Sequence, residues 1–370
     1  MGLGEGSVEN VVSAEFWKGK TVLVTGHTGF KGGWLCLWLQ SLGANVVGYA
    51  RSPPTTPSLF EVATVGDGMR SIIGDVGDLP RLQAAVSQYV PQIVFHMAAQ
   101  ALVRSSYANP VGTYATNVMG TAHLLEAVRT ARGVKVVINV TSDKCYDNRE
   151  WVWGYRENEP LGGYDPYSSS KGCAELVTAA YRNSFFHPAE YARHGVAVAS
   201  ARAGNVIGGG DWAEDRLVPD FVRATTCGEP LTVRNPVAVR PWQHVLESLR
   251  GYLLLAQNLW SDGARYGEAW NFGPDDESVQ SVGTVVGTLA ELWGGAARWC
   301  SSDSVEQLHE AAFLKLDCSK AKMKLGWHPG WNLQTALEST VAWYQAHQAK
   351  HDMRAFSLEQ IGRYHQRGIP

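Results

Sequence analysis

The chain has 370 residues, 45% of them apolar, enough to bury a sizeable core and to build one large or two modest domains. Its formal net charge of -3 gives no basic field of the kind that nucleic acid or anionic lipid recognition requires, so small-molecule partners are expected. No apolar run approaches the roughly 18 residues of a membrane span, and the polar start MGLGEGSVEN does not read as a signal peptide; no membrane contact and a cytoplasmic setting are expected. Six cysteines (Cys36, Cys145, Cys173, Cys227, Cys300 and Cys318) contain no C-x-x-C pair, which predicts free thiols and no metal site.

Residues 1 to 15 are glycine-rich and polar and read as a flexible tail, with order beginning near Phe16 and Trp17. Thr21 to Thr25 (TVLVT) is a continuous apolar run and reads as a buried strand. Phe30 to Leu42 carries apolar residues at helical spacing and stops at Gly43. Asn45 to Ala50 is a second strand, and after a proline-rich loop (residues 53 to 57) a helix opens at the cap Asp78 and runs to about Tyr89. Ile93 to Ala98, Lys135 to Thr141 and Val196 to Ala201 repeat the buried-strand pattern, each after a helix-period stretch that includes Tyr114 to Arg129 and Ser168 to Phe185. Alternating strands and helices predict an α/β fold: a Rossmann-type doubly wound parallel sheet covered on both faces, spanning 16 to 201. From 202 to 370 the pattern loosens into a helix at Val218 to Thr226, a strand at Leu231 to Val233, a helix at Gln243 to Trp260 and a strand at Ala269 to Phe272. This part is expected to form mainly a smaller substrate-binding lobe, with some segments returning to the sheet, and to cap the crevice at the carboxyl ends of the strands.

The loop Gly26-His27-Thr28-Gly29-Phe30-Lys31-Gly32 follows the first strand and opens the first helix. Glycines there permit a tight turn and close backbone approach, and the helix N-terminus faces a pyrophosphate, so Gly26, Thr28, Gly29, Phe30, Lys31 and Gly32 are expected to hold a dinucleotide. At the end of the second strand an acid would select NAD and an arginine would tolerate NADP; the chain offers Ala50-Arg51, which leans toward NADP or no discrimination. Arg51 read as a solvated loop residue is the alternative. Asp75 is a candidate to bond the adenine amine, or else a turn or capping aspartate.

Tyr167 and Lys171 stand four residues apart on an expected helix, so both side chains emerge on one face and act on one ligand atom. A free tyrosine titrates near 10, and a base useful near neutral pH must be brought down by about three pH units, roughly 4 kcal/mol. A fixed ammonium and a nicotinium nearby supply that. The strand end Val140-Thr141-Ser142-Asp143-Lys144 falls at the carboxyl edge of the sheet. There Ser142 can bond a reacting oxygen, Asp143 can act as general acid, and Lys144 as charge partner or base. Elsewhere in a fold the same residues would be an ordinary turn.

Together the stretches TGHTGFKGGWL, FHMAAQALVR, NVTSDKCYDNREWVWGYRENEP, YDPYSSSKG, RAGNVIGGGDW, RPWQHVLE and WNFGP resemble the nucleotide-sugar 4,6-dehydratases of the extended short-chain dehydrogenase/reductase superfamily, and within them the CDP-glucose branch. The resemblance runs from Trp17 to about residue 345. It implies a lyase that uses NAD, with Ala98 and Ala99 also lining the cofactor, and CDP-glucose or a related nucleotide sugar as substrate. Tyr167 would take the C4 hydroxyl proton, Lys171 would hold the nicotinamide ribose, Ser142 would bond the C4 oxygen, and Asp143 would protonate the departing C6 hydroxyl. The product would be CDP-4-keto-6-deoxy-glucose. Many relatives carry Asp-Glu where this chain has Asp143-Lys144, which leaves the C5 base open; an ammonium serves as a base only after losing its proton, as burial or neighbouring cations favour. The resemblance further points to Arg104, Asn205, Arg216, Arg234 and Arg240 as substrate contacts, to Asn117 as an anchor of the active-site helix or a structural mid-helix residue, and to a homodimer through helices of the Rossmann lobe. An epimerase, a reductase or a dehydratase for another nucleotide would share the glycine loop, Tyr167 and Lys171. A non-catalytic dinucleotide sensor would need none of the strand-end groups.

Overall fold

The computed structural model describes residues 11–295, 297–302 and 311–367. Of the expected tail, residues 1–10 lie outside the described residues, but Val12 is buried and Ser13 caps the one-turn helix Ala14–Trp17. Order thus begins some residues before Phe16. The cause is Gln257, far along the chain: its Oε1 accepts from Ser13 N (2.9 Å) and Trp17 Nε1 (3.1 Å), and its Nε2 donates to Val11 O (3.2 Å).

Seven parallel strands form the central sheet: β1 Thr21–Thr25, β2 Asn45–Ala50, β3 Arg70–Ile73, β4 Ile93–His96, β5 Val136–Val140, β6 Ala197–Ala203 and β7 Ala269–Phe272, in the order β7-β6-β5-β4-β1-β2-β3. The inner strands are covered on both sides, which explains their largely apolar sequences: in β1, Val22 and Val24 pack into one core and Leu23 into the other, whereas the edge strand β3 (RSII) is mostly exposed. The chain runs outward from β1 to β3 and then returns to β4 on the other side of β1. That reversal opens a crevice at the carboxyl ends of β1 and β4, where such sheets bind ligands.

The crossover helices used below are α1 Phe30–Ser41, α2 Leu79–Tyr89, α3 Gly120–Thr130 and α4 Pro166–Phe185, followed by α5 Val245–Ser261. Two differ from expectation. The stretch expected as one helix from Tyr114 starts at Pro110, capped by Asn109, and passes through a π-helical turn, Ala115–Met119, before α3. Such turns arise where a side chain is pulled out of the regular ladder; Asn117 is turned inward, its Oδ1 accepting from Gln100 N (2.8 Å) and its Nδ2 donating to Ser170 Oγ (2.8 Å). The helix expected from Gln243 starts at Val245, because Gln243 and His244 pair with Val206 and Ile207 as a short parallel bridge. From the C-terminal part, β7 lies in the central sheet and α5 packs against β5 and β6.

Beneath the crevice sits a buried ion pair. Glu175 on α4 accepts from Arg202 Nη2 (2.8 Å), Ser200 Oγ (2.6 Å) and Thr141 Oγ1, joining the helix to β6 and to the residue that follows β5. Arg202 Nη1 in turn donates to Tyr146 Oη (2.7 Å). With both side chains only 3–4% exposed, removal of one partner strands a charge that water cannot reach. Glu175→Leu is therefore expected to lower unfolding free energy by about 3–5 kcal/mol in denaturant titrations, and the double change Glu175→Leu with Arg202→Met to recover most of it.

Candidate active site

The turn from β1 into α1 is built on contacts that admit only hydrogen at two positions. A Cβ on Gly26, whose φ is +78°, would lie 2.8 Å from Ala98 N; one on Gly32 would lie 2.1 Å from Gly26 O. Gly29, the N-cap of α1, offers no side chain to the first amides of the helix, which leaves them for an anion. Thr28 Oγ1 donates to Arg51 O (2.9 Å), tying the loop to the end of β2. Arg51 and Asp75 meet at the ends of β2 and β3, 3.9 Å apart and largely exposed, and Asp75 Oδ1 accepts from Gly77 N (2.8 Å) as a turn aspartate does. Ala98 N bonds Thr25 Oγ1 (3.2 Å) just beyond β4.

A cavity of about 430 Å³ opens from this loop toward the C-terminal part of the chain. Phe30, Lys31 and Ala99 line its cofactor side; Ser142, Asp143, Lys144, Tyr167 and Lys171 line its middle; Arg104, Asn205, Arg216, Arg234 and Arg240 line the remainder. Every catalytic and substrate residue expected from the sequence thus converges on one cavity. Arg51 and Asp75 do not line it and lie out at the strand ends.

Tyr167 stands in the first turn of α4, after the N-cap Asp165, which accepts from Ser168 N (2.9 Å). Its backbone N donates to Ser106 Oγ (3.1 Å), and its carbonyl accepts from Ser170 Oγ (2.7 Å), the hydroxyl that also receives Asn117. The tyrosine is thereby fixed by its own helix and by two other segments, those of Ser106 and Asn117. Burial pushes its phenol up to about 12, against the pull of the Ser142 hydroxyl and the Arg216 guanidinium. Lys171, one turn further on, is pushed down to about 8 by burial, with its ammonium near Val140 O (3.4 Å).

The 3-10 turn Asp143–Cys145 after β5 is capped by Ser142, whose Oγ accepts from Lys144 N (3.2 Å) and donates to Asp143 Oδ1 (2.9 Å). Asp143 Oδ2 is buried with no partner, and burial raises the carboxyl above its ordinary range although Lys144, Ser142 and Arg240 oppose this. A carboxylic acid that keeps its proton is the group an acid catalyst needs.

The sequence did not single out Tyr252, Asp211 or Asp215. Lys31 Nζ donates to Tyr252 Oη on α5 (2.9 Å), and burial, then Lys171 and Arg216, bring its ammonium down to about 7. Arg216 Nη1 is held by Asp211 (2.8 Å). Asp211 and Asp215 precede Arg216 within one loop, and that alternation of acids before an arginine was the available signal.

The GDP-mannose 4,6 dehydratase family model matches residues 23–340. A CDP-glucose 4,6-dehydratase of Salmonella typhimurium is 57% identical over 354 residues, covering 96% of this chain and 98% of its own. Among solved structures, MoeE5 in complex with UDP-glucose and NAD is 27% identical with a TM-score of 0.74, over 89% of this chain and 99% of that one. UDP-glucose 4-epimerase of Thermotoga maritima with UDP-glucose gives a TM-score of 0.75 over 89% and 99% at 23% identity, a likeness of fold alone. Since the match takes in the glycine loop and every residue lining the cavity, the chain belongs to the nucleotide-sugar 4,6-dehydratase family, the group described by the GDP-mannose 4,6 dehydratase model.

Proposed function

We propose that the chain converts CDP-glucose to CDP-4-keto-6-deoxy-glucose and water, with NAD as its cofactor. The observation that carries this reading is Asp143: a buried acid with a free oxygen, bonded to Ser142 beside Tyr167, serves a dehydration, whereas epimerisation or simple reduction has no use for it. The choice of CDP-glucose rests on the 57% identical Salmonella enzyme. The choice of NAD rests on MoeE5, which holds NAD, and on the cradle at Gly26, Gly29 and Gly32 that any Cβ at the first or last would fill.

When bound, NAD supplies a reversible acceptor for the C4 hydride. Tyr167 takes the proton of the C4 hydroxyl while Ser142 bonds the C4 oxygen. A phenol at about 12, with the pull of Ser142 and Arg216 already included, is too reluctant to ionise for this task, and the positive charge of an oxidised nicotinamide, when bound, would favour its anion further. The resulting C4 ketone acidifies the C5 hydrogen. Lys144, at the cavity wall, removes that proton as the neutral amine, having first given up its ammonium proton, and Asp143 gives its own to the C6 hydroxyl, which leaves as water. Lys144 returns its proton to C5, Tyr167 gives up and Asp143 regains a proton through solvent, and return of the hydride to C6 would leave no net oxidation. Arg216 and Arg240 bind the diphosphate, Arg240 being held by its bonds to Val239 O (3.0 Å) and Ala312 O (3.2 Å).

Two further features belong to this reading. Val111, Tyr114, Leu176 and Phe185 stay exposed on the neighbouring helices Pro110–Tyr114 and α4, which supports a homodimer through this face. All six cysteines are free thiols, as a reducing cytoplasmic setting requires, and no helix among the described residues is long and apolar enough to cross a membrane.

The purified protein with CDP-glucose and NAD should yield a 4-keto-6-deoxy sugar, read by its absorbance in alkali; product from another nucleotide sugar but none from CDP-glucose would sink the substrate assignment. Tyr167→Phe is expected to reduce kcat by about 10²–10⁴ with nucleotide binding retained. Lys144→Ala is expected to abolish incorporation of solvent deuterium at C5 and to lower turnover to a similar degree, while the C4 ketone still forms. Wild-type exchange in that variant would assign the C5 base to another group.

A further inference from the structure

Three arginines that line the cavity are held by carboxylates of a single loop, and they are held in two different ways. Arg216 is fixed on Asp211, whose side chain is buried at 7% exposure, at 2.8 Å. Arg104 and Arg234 share Asp215: its Oδ1 is 3.6 Å from Arg104 Nε and 3.0 Å from Arg234 Nη1, with all three side chains 35–42% exposed. Arg104 comes from the short helix Val103–Ala108 beyond β4, Arg234 from the end of the strand Leu231–Val233, and Asp215 from the loop before the helix Leu217–Thr226. The pair of ion contacts therefore ties the Rossmann side of the cavity to its C-terminal side. Asp215 also adopts a left-handed backbone, φ +61°, a conformation that asparagine and aspartate tolerate better than most residues.

We propose that Asp215 is a placeholder for the diphosphate of the nucleotide sugar: it keeps Arg104 and Arg234 converged until substrate binds, and the substrate then takes its place between them. This rests on the nucleotide-sugar reading given above. Two guanidiniums aimed at one oxygen make a site for an anion with more charge than one carboxylate. A diphosphate offers each arginine a bidentate partner and carries at least two negative charges. Ion pairs as exposed as those of Asp215 contribute little and are screened by salt, so they exchange readily. In the Asp211–Arg216 pair the carboxylate is buried although Arg216 is 33% exposed, so that pair exchanges less readily and keeps Arg216 in place as a further contact to the diphosphate. Because the substrate must displace Asp215 and then sit beside its charge, Asp215 holds affinity down and lets the product nucleotide leave. It is a positioning residue, since it acts through the two arginines and touches no reacting atom.

The experiment is calorimetric titration of the full chain with CDP, alongside steady-state turnover of CDP-glucose with NAD. Asp215→Asn preserves the shape of the side chain and its tolerance of the left-handed backbone while removing the charge. It is expected to tighten CDP binding about 5–10-fold in low salt, to lower KM in the same direction, and to lose most of this difference at about 0.5 M salt. Asp215→Glu should restore wild-type values. A residue that merely orders the loop would give the opposite sign, so weaker or unchanged CDP binding by Asp215→Asn overturns the inference while the function stands. Failure of the wild-type protein to bind CDP at all would overturn the nucleotide-sugar reading and this inference with it.

Discussion

The catalytic geometry depends on one buried carboxylate that takes no part in the chemistry. Glu175 sits one helical turn beyond Lys171 and accepts from Thr141, Ser200 and Arg202. Thr141 directly precedes Ser142 and Asp143, so the same oxygens that fix α4 also fix the strand end on which the acid stands. Beside this set, Asn139 Nδ2 donates to Thr178 Oγ1 (2.7 Å) and Lys171 Nζ lies near Val140 O (3.4 Å), so β5 and α4 are tied by polar contacts on both sides of Glu175, and removal of the Glu175 set would loosen a geometry that proton transfer needs held closely. The π-helical turn at Ala115–Met119 adds a second tie, since Asn117 reaches Ser170 one residue before Lys171. Scaffold energetics and chemistry are thereby coupled through hydrogen bonds to α4 from three sides.

Charge distribution in the cavity follows the same logic. Lys31, Arg104, Lys144, Lys171, Arg216, Arg234 and Arg240 line the cavity against the carboxylates Asp143, Asp211, Asp215 and Asp220, on a chain whose net charge is slightly negative. Crowding is felt by the ammonium groups: Lys31 is brought down to about 7 by burial and by its cationic neighbours. A cavity of this sign suits an anionic ligand, as the proposed nucleotide diphosphate would be. Burial outweighs these cations at Asp143 and raises its carboxyl above the ordinary carboxylate range.

Much of this was legible in the amino-acid order, and the limits are physical. Strands β1, β4, β5 and β6 are covered on both faces and so read as mainly apolar runs, broken in β5 and β6 by Asn139, Ser200 and Arg202, whose buried partners lie on α4; and Gly26 and Gly32 in the β1–α1 turn mark close contacts that exclude a side chain. The four-residue spacing of Tyr167 and Lys171 is local and survives without knowledge of the fold. What was hidden depends on partners distant in the chain: Lys31 meets Tyr252 across 221 residues, and Gln257 orders Ser13 across 244. No local periodicity carries those pairings. The true starts of the helices at Pro110 and Val245 were also masked, the first by an inward asparagine and the second by a two-residue parallel bridge.

The central claim is that the hydride removed from C4 is returned to C6 of the same sugar before product leaves. It is tested most directly with CDP-glucose carrying deuterium at C4, mixed with unlabelled CDP-glucose, and mass analysis of the product. The account predicts deuterium on the C6 methyl group of the molecules that began labelled, and of those alone. Deuterium lost to released cofactor, or spread into product from the unlabelled substrate, would contradict it.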